Sequence, residues 1–65
     1  MLLLTAREKQ VVNNLALGLT YTEIALDLEI GDSTVRKHVA NIFRKLDAKN
    51  AAHAVAIAIR KNICL

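Results

Sequence analysis

The sequence predicts an all-α domain built from four helices, and three features of the chain indicate this fold class. Its 65 residues include two glycines and no proline, so few tight turns are available to connect strands. Apolar residues recur at helical spacing in four consecutive segments. Apolar residues make up 54% and charged residues 23%, which fits a folded domain and argues against disorder. A chain of this length has room for one domain, residues 1–65, and too little core for a catalytic cleft.

The first predicted helix covers about residues 5–17 and starts at a capping box. Thr5 and Glu8 are three residues apart, so the hydroxyl and the carboxylate can each accept a hydrogen bond from a free amide of the first turn. Val11, Val12 and Leu15 then form one apolar stripe. Gly18 supplies the left-handed residue that ends the helix.

The second predicted helix covers about residues 20–29 and begins with the same signal. Thr20 and Glu23 form a second capping box, and Ile24 and Leu28 belong to the inner stripe. We expect Ile30 and Gly31 to form the turn that separates this helix from the next.

The third predicted helix is the longest, about residues 32–46, and its two sides differ. At 100° per residue, one side carries an apolar stripe and the opposite side carries hydrogen-bonding groups. The stripe consists of Val35, Val39, Ile42 and Leu46, and the polar side of Ser33, Lys37, Ala40, Asn41 and Arg44, flanked by Arg36 and Lys45.

The fourth predicted helix covers about residues 51–61, with Asn50 as its cap. It is apolar on nearly every side, and so small a domain cannot bury all of them. We therefore predict that one side packs on the core and the other contacts a second molecule. A homodimer through this helix is the favoured arrangement, and docking of an absent N-terminal domain is the alternative. The predicted dimerisation residues are Ala51, Ala54, Val55 and Ala58.

The charges divide sharply between two parts of the chain. Residues 19–32 hold four carboxylates and no base, a net charge of −4, whereas residues 33–49 hold five bases and one acid, a net charge of +4. Two short helices joined by a tight turn, the second basic on its outer side, are typical of a helix-turn-helix. Such a helix fits the DNA major groove, where Arg and Lys donate to guanine. Thr20, Thr22 and free amides at the start of the second helix can hold a phosphate.

A series of residues spread over nearly the whole chain forms a recognisable pattern. It consists of Leu4-Thr5-x-Arg7-Glu8, Val11-Val12, Gly18-Leu19-Thr20-x-x-Glu23-Ile24-Ala25-x-x-Leu28-x-Ile30, Thr34-Val35-Arg36-x-His38-Val39-x-x-Ile42-x-x-Lys45-Leu46 and Ala54. With these residues the chain resembles the LuxR-type (NarL/FixJ-like) DNA-binding domain of bacterial transcription regulators over about residues 3–62. The resemblance implies a four-helix fold, a third helix in the major groove and a fourth helix used for dimerisation. It also implies that Arg36, Lys37 and Ala40 face base edges and that Thr34 and Val35 contact the DNA backbone or thymine methyl groups.

Two positions depart from the family pattern. Gly31 stands where the family has a serine cap, so the third helix starts with a weaker cap that Asp32 or Ser33 can share. Ala51 stands where the family has an arginine at the start of the fourth helix, which removes one expected charge.

The predicted function is sequence-specific binding of double-stranded DNA by the output domain of a transcription regulator. Val35 is expected mainly in the core, Arg44 on phosphate, and Lys45 and Lys49 either on the DNA backbone or solvated. If about five cations per copy meet phosphates, the logarithm of affinity should fall with the logarithm of salt with a slope of about −4 to −5. The predicted DNA-binding residues are Thr20, Thr22, Ser33, Thr34, Val35, Arg36, Lys37, Ala40, Asn41, Arg44, Lys45 and Lys49.

Other classes of function find less support in the sequence. A helical interaction module that heterodimerises with a regulator and antagonises it is the main alternative. Two aromatic residues leave little for RNA base stacking, and no nucleophile–base pair suggests an enzyme. A single cysteine, Cys64, excludes an internal disulfide, and His and Cys are too scattered for zinc, so we expect no metal or cofactor and a reduced, cytoplasmic setting.

The expected partners include more than DNA. The resemblance implies an N-terminal receiver or ligand-binding domain in a longer chain, and the sequence leaves open whether the chain is a fragment or a stand-alone regulator. The acidic second helix either keeps its side away from DNA or meets RNA polymerase. No apolar segment is long enough for a membrane span and no signal peptide is expected.

Overall fold

Four helices account for most of residues 4–61, the part of the chain that the computed structural model describes. No strand occurs in that range, and each helix begins and ends within one residue of its predicted bounds, so the all-α, four-helix prediction is confirmed. Cys64 lies outside the described residues. The helices are α1 (Ala6–Ala16), α2 (Tyr21–Leu28), α3 (Asp32–Leu46) and α4 (Ala51–Arg60).

The predicted caps start three of the four helices. In α1, the Thr5 hydroxyl accepts from the Glu8 amide at 3.1 Å, and the Glu8 carboxylate accepts from the Thr5 amide at 2.8 Å. Thr20 and Glu23 repeat this arrangement at the start of α2. The Asn50 side chain accepts from the His53 amide at 2.8 Å at the start of α4. Each cap satisfies amides that have no acceptor inside the helix.

The residues that end the helices agree less well with the sequence prediction than the caps that start them. Gly18 has φ +88°, as predicted for the residue that ends α1. The left-handed residue after α2 is Glu29 at φ 58°, and Gly31 is extended with φ −77°. The Ile30 amide donates to the Ala25 carbonyl at 3.0 Å, the bond that a left-handed helix end provides. Since Ile30 packs against the core, its burial favours this turn although no glycine stands at the left-handed position.

The core lies where α3 crosses the other three helices, because α3 packs on α1, α2 and α4. The apolar stripe of α3 is buried along its length, which confirms the predicted inner side. The fully buried side chains with the largest volumes come from three helices and are Ile24, Ile42, Val11, Val12 and Val35. Within residues 4–61, no helix combines the length and apolar character needed to cross a lipid bilayer.

The side of α4 that faces the core includes two of the four residues predicted to form the dimer contact. Ala54 and Ala58 are 0% exposed, because they pack with Ile57 into the core of their own chain. Neither side chain is available to a second copy, so these two assignments are corrected. Ala51 and Val55 are partly exposed. The outward stripe of α4 consists of Ala52, Ala56 and Ile59, spaced four and three residues apart.

Candidate nucleic-acid interface

The outer side of α3 forms a polar surface that no other helix covers. Most of the residues predicted to contact DNA lie there with exposed side chains, and Asn41 is partly exposed. Two predicted contacts on α3 do not lie there: Val35 is 0% exposed in the core, and Lys45 is turned toward α1. We call this surface, formed by Ser33, Thr34, Arg36, Lys37, Ala40, Asn41 and Arg44, the α3 outer face.

Two cations of the α3 outer face are held by neighbouring side chains. The guanidinium carbon of Arg36 lies 5.5 Å from the centre of the Tyr21 ring, in the first turn of α2. Arg44 donates from Nη2 to the Asn41 side-chain oxygen at 2.8 Å, one turn earlier on α3. Asn41 therefore helps to place Arg44, and its carbonyl oxygen is already in use. Lys37 is exposed between these two pairs.

The start of α2 meets the start of α3 beside this face. The Thr22 hydroxyl donates to Oδ2 of Asp32 at 3.0 Å, and Thr22 is exposed. Thr20 is also exposed, and its hydroxyl oxygen caps α2. The amides at the first two helical positions, Tyr21 and Thr22, have no acceptor inside the helix and are free to meet an anion.

Lys45 points toward α1 rather than toward the α3 outer face. Its ammonium lies 2.8 Å from Oε1 of Glu8, which is only 3% exposed. Burial acts to raise the pKa of Glu8, but the hydrogen bonds from Lys45 and Thr5 and the Lys45 charge outweigh it, so the pKa lies below its ordinary value. The structure thus places Lys45 in an interhelical ion pair.

Lys49 lies in the loop between α3 and α4, with an exposed side chain. Its backbone amide donates to Nδ1 of His53 at 3.1 Å. His53 in turn sits on the Asn50 cap, so the α4 cap and the loop carrying Lys49 belong to one hydrogen-bonded unit.

Three residues of this region make contacts that the sequence does not predict. The sequence predicts Glu8 only as a cap residue and Asp32 only as an auxiliary cap, and it predicts no role for Tyr21. Their contacts join residues 37, 15 and 10 positions apart. No signal local to the sequence could have paired them, because the pairs depend on how the helices cross.

Comparison with known families gives a match over nearly the whole chain. The family model described as GerE, bacterial regulatory proteins of the luxR family, matches residues 2–58. The transcriptional activator protein ExpR of Dickeya dadantii is 39% identical over 61 residues, which cover 94% of this chain and 24% of that protein. The CsgBAC operon transcriptional regulatory protein of Escherichia coli is 45% identical over 56 residues, covering 86% of this chain and 26% of that protein. The chain therefore spans about a quarter of the length of these relatives.

Solved structures share the same fold. The response regulator ChrA of a heme-sensing two-component system superposes with a TM-score of 0.90 at 33% identity, covering 92% of this chain and 30% of that chain. The transcription factor GerE superposes with a TM-score of 0.89 at 27% identity, covering 95% of this chain and 92% of that chain. The four-helix arrangement is thus shared with these two regulators.

Proposed function

Because this chain belongs to the luxR family of bacterial regulatory proteins, whose helix-turn-helix domains serve transcription regulation, we propose that it binds double-stranded DNA sequence-specifically with α3 in the major groove. The observation that supports this most directly is the two-sidedness of α3. Its apolar stripe is buried along its length, while the opposite side exposes two arginines and a lysine to solvent. A helix supported in this way can enter a groove without loss of core packing.

In this proposal the α3 outer face divides into base-reading and backbone-binding parts. Arg36, Lys37 and Ala40 face base edges, with the long donors reaching guanine and the alanine methyl group meeting thymine. Ser33 and Thr34, in the first turn, contact the sugar-phosphate backbone. Asn41 holds Arg44 on a phosphate through their 2.8 Å hydrogen bond.

Further phosphate contacts come from outside α3. Thr20, Thr22 and the free amides at the start of α2 hold one phosphate. Lys49, exposed in the loop before α4, meets another. Lys45 stabilises the domain through Glu8, and Val35 supports α3 from the core, so neither counts as a DNA contact in the proposal.

The domain acts as the output part of a dimeric regulator in this proposal. Two copies associate through the outward stripe of α4 and bind half-sites about one helical turn apart. Since ChrA is a response regulator and the chain covers about a quarter of its curated relatives, the whole protein would carry an N-terminal receiver or ligand-binding domain that controls this step.

Selection of bound duplexes from a random pool, followed by gel shift on the selected sequence, tests the proposal. We expect an enriched motif and binding that weakens with salt. Of the cations predicted to contact DNA, Arg36, Lys37, Arg44 and Lys49 are exposed. Since Arg44 and Lys49 are the two proposed on phosphates, the expected slope of log affinity against log salt is about −2 per copy. No enrichment, together with a slope near zero, would reject DNA binding and favour the alternative of a helical module that heterodimerises with a regulator.

A further inference from the structure

We propose that Tyr21 is a positioning residue for DNA recognition, which keeps the Arg36 guanidinium extended and its donors free for a base. This inference rests on the proposed function, because it concerns how a cation on the α3 outer face meets DNA. Its central observation is the 5.5 Å separation between the guanidinium carbon of Arg36 and the centre of the Tyr21 ring.

The Tyr21 ring is well suited to hold a flexible side chain. It is partly buried and packs against the core, at the first position of α2, next to the capping box of Thr20 and Glu23. The ring is therefore fixed by packing on one side and open on the other. An arginine free in solution samples many rotamers, and a fixed aromatic surface reduces the entropy lost when it is ordered on DNA.

The contact with the Tyr21 ring gives Arg36 no acceptor oxygen for its N–H groups. Where a guanidinium lies with its flat face on an aromatic ring, its five N–H donors point outward in its own plane. Among residues 4–61, no carboxylate forms a salt bridge with Arg36. Its donors therefore stay available for the in-plane, two-pronged contact that guanine accepts.

The nearest competing partner of Arg36 on its own helix is held elsewhere. Asp32 lies four residues before Arg36 on α3, the spacing at which opposite charges pair along a helix. Instead, Asp32 accepts the Thr22 hydroxyl at 3.0 Å. Two consecutive residues of α2 thus keep Arg36 and Asp32 apart. Tyr21 contacts the guanidinium of Arg36, and Thr22 donates a hydrogen bond to the carboxylate of Asp32. Without the ring, Arg36 would be free to turn back onto Asp32.

The test compares Tyr21→Phe and Tyr21→Leu on the selected duplex and on its single base-pair variants. Tyr21→Phe keeps the aromatic face and should bind like the wild type. Tyr21→Leu should bind about two- to fivefold more weakly, the range for one exposed cation–π contact, and lose preference at a single base pair. In an Arg36→Ala background the two Tyr21 variants should bind alike. Asp32→Asn should restore part of the affinity of Tyr21→Leu, because it removes the competing charge.

A spectroscopic measurement separates positioning from general stability. The Arg36 side-chain protons of the free wild type should show upfield ring-current shifts in NMR spectra, which Tyr21→Phe keeps and Tyr21→Leu removes. Equal DNA preference in Tyr21→Leu and the wild type, or a loss that persists unchanged in Arg36→Ala, would overturn the inference while leaving DNA binding intact. Failure of the wild type to bind any selected duplex would instead reject the proposed function.

Discussion

The ammonium of Lys45 on α3 lies 2.8 Å from the Glu8 carboxylate on α1, and the same carboxylate oxygen accepts the Thr5 amide that starts α1. One buried oxygen therefore links the cap of the first helix to the helix proposed to contact DNA. Side chains of α1 and α3 pack in the same core, so the Lys45–Glu8 ion pair adds a polar contact between two helices that already share an apolar one.

Stability should depend on the charge of Glu8 at acid pH. Its pKa lies below the ordinary 4.5, so the folded protein binds fewer protons than the unfolded chain as pH falls. The stability that the carboxylate contributes is present above pH 4.5 and is lost as pH falls through its folded-state pKa. Glu8→Gln should lower the free energy of unfolding by about 1–3 kcal/mol at neutral pH and make it depend less on pH in the acid range, measured by denaturant unfolding from pH 7 downward.

The control for this prediction is Glu29→Gln, which changes an exposed carboxylate. Parallel pH curves for Glu8→Gln and the wild type would contradict the role of the ion pair.

The core should be sensitive to loss of a single side chain. Ile42 is 0% exposed on the buried stripe of α3, so Ile42→Ala should cost about 2–5 kcal/mol. Because domains of this size seldom gain more than about 3–5 kcal/mol from their core, the variant should be close to unfolded at 25 °C by circular dichroism. Leu26→Ala, at a leucine 76% exposed, should melt near the wild type. Equal melting temperatures for Ile42→Ala and Leu26→Ala would refute the predicted core.

A side-chain cap on α3 should stabilise the domain. Gly31 is extended, it has no side-chain cap bond, and an added Cβ would come no closer than 3.9 Å to any neighbouring atom. Gly31→Ser should therefore raise the free energy of unfolding by about 0.5–1 kcal/mol, from the new cap and a less flexible unfolded chain. Gly31→Ala adds no cap and should unfold near the wild type, whereas Gly18→Ala at φ +88° should destabilise. A serine variant no more stable than the alanine variant would show that the hydroxyl does not cap α3.

Lys37 should determine preference at one base position if α3 enters the groove as proposed. Lys37→Ala should cost about 1–3 kcal/mol on the selected duplex and less on a duplex changed at that position. Lys9→Ala removes the same charge from an exposed position on α1 and controls for general electrostatic attraction. Equal weakening on all duplexes would assign Lys37 to the phosphate backbone instead.

Association of two copies should depend on the outward stripe of α4. Ile59 is 59% exposed there, and Ile59→Asp should shift the protein toward monomer in analytical ultracentrifugation and reduce cooperative binding to two half-sites. Leu26→Asp changes an equally apolar, exposed residue on α2, which does not contact α4. If only Leu26→Asp disrupted association, the interface would lie on α2.

Local signals in the sequence predicted the helices and their starts, because a cap or a stripe is complete within one or two turns. Thr5, Thr20 and Asn50 are predicted caps of this kind, and each caps its helix in the structure. The buried side of α3 was equally clear, since polar and apolar residues separate cleanly around it. A helix that is apolar all round does not reveal which side faces the core, so the prediction that Ala54 and Ala58 contact a second copy is wrong.

What the chain determined by itself was the fold class, the four helices and the two-sided character of α3. The tertiary structure decided which cations remain available to a ligand: Lys45 pairs with Glu8, Arg36 lies on Tyr21, and Arg44 is joined to Asn41. The physical reason is the separation along the chain between the residues that interact. Hydrogen bonds and stripes within a helix depend on neighbours a few residues away, whereas an interhelical ion pair or ring contact depends on the crossing of whole helices, which the packing of the core sets.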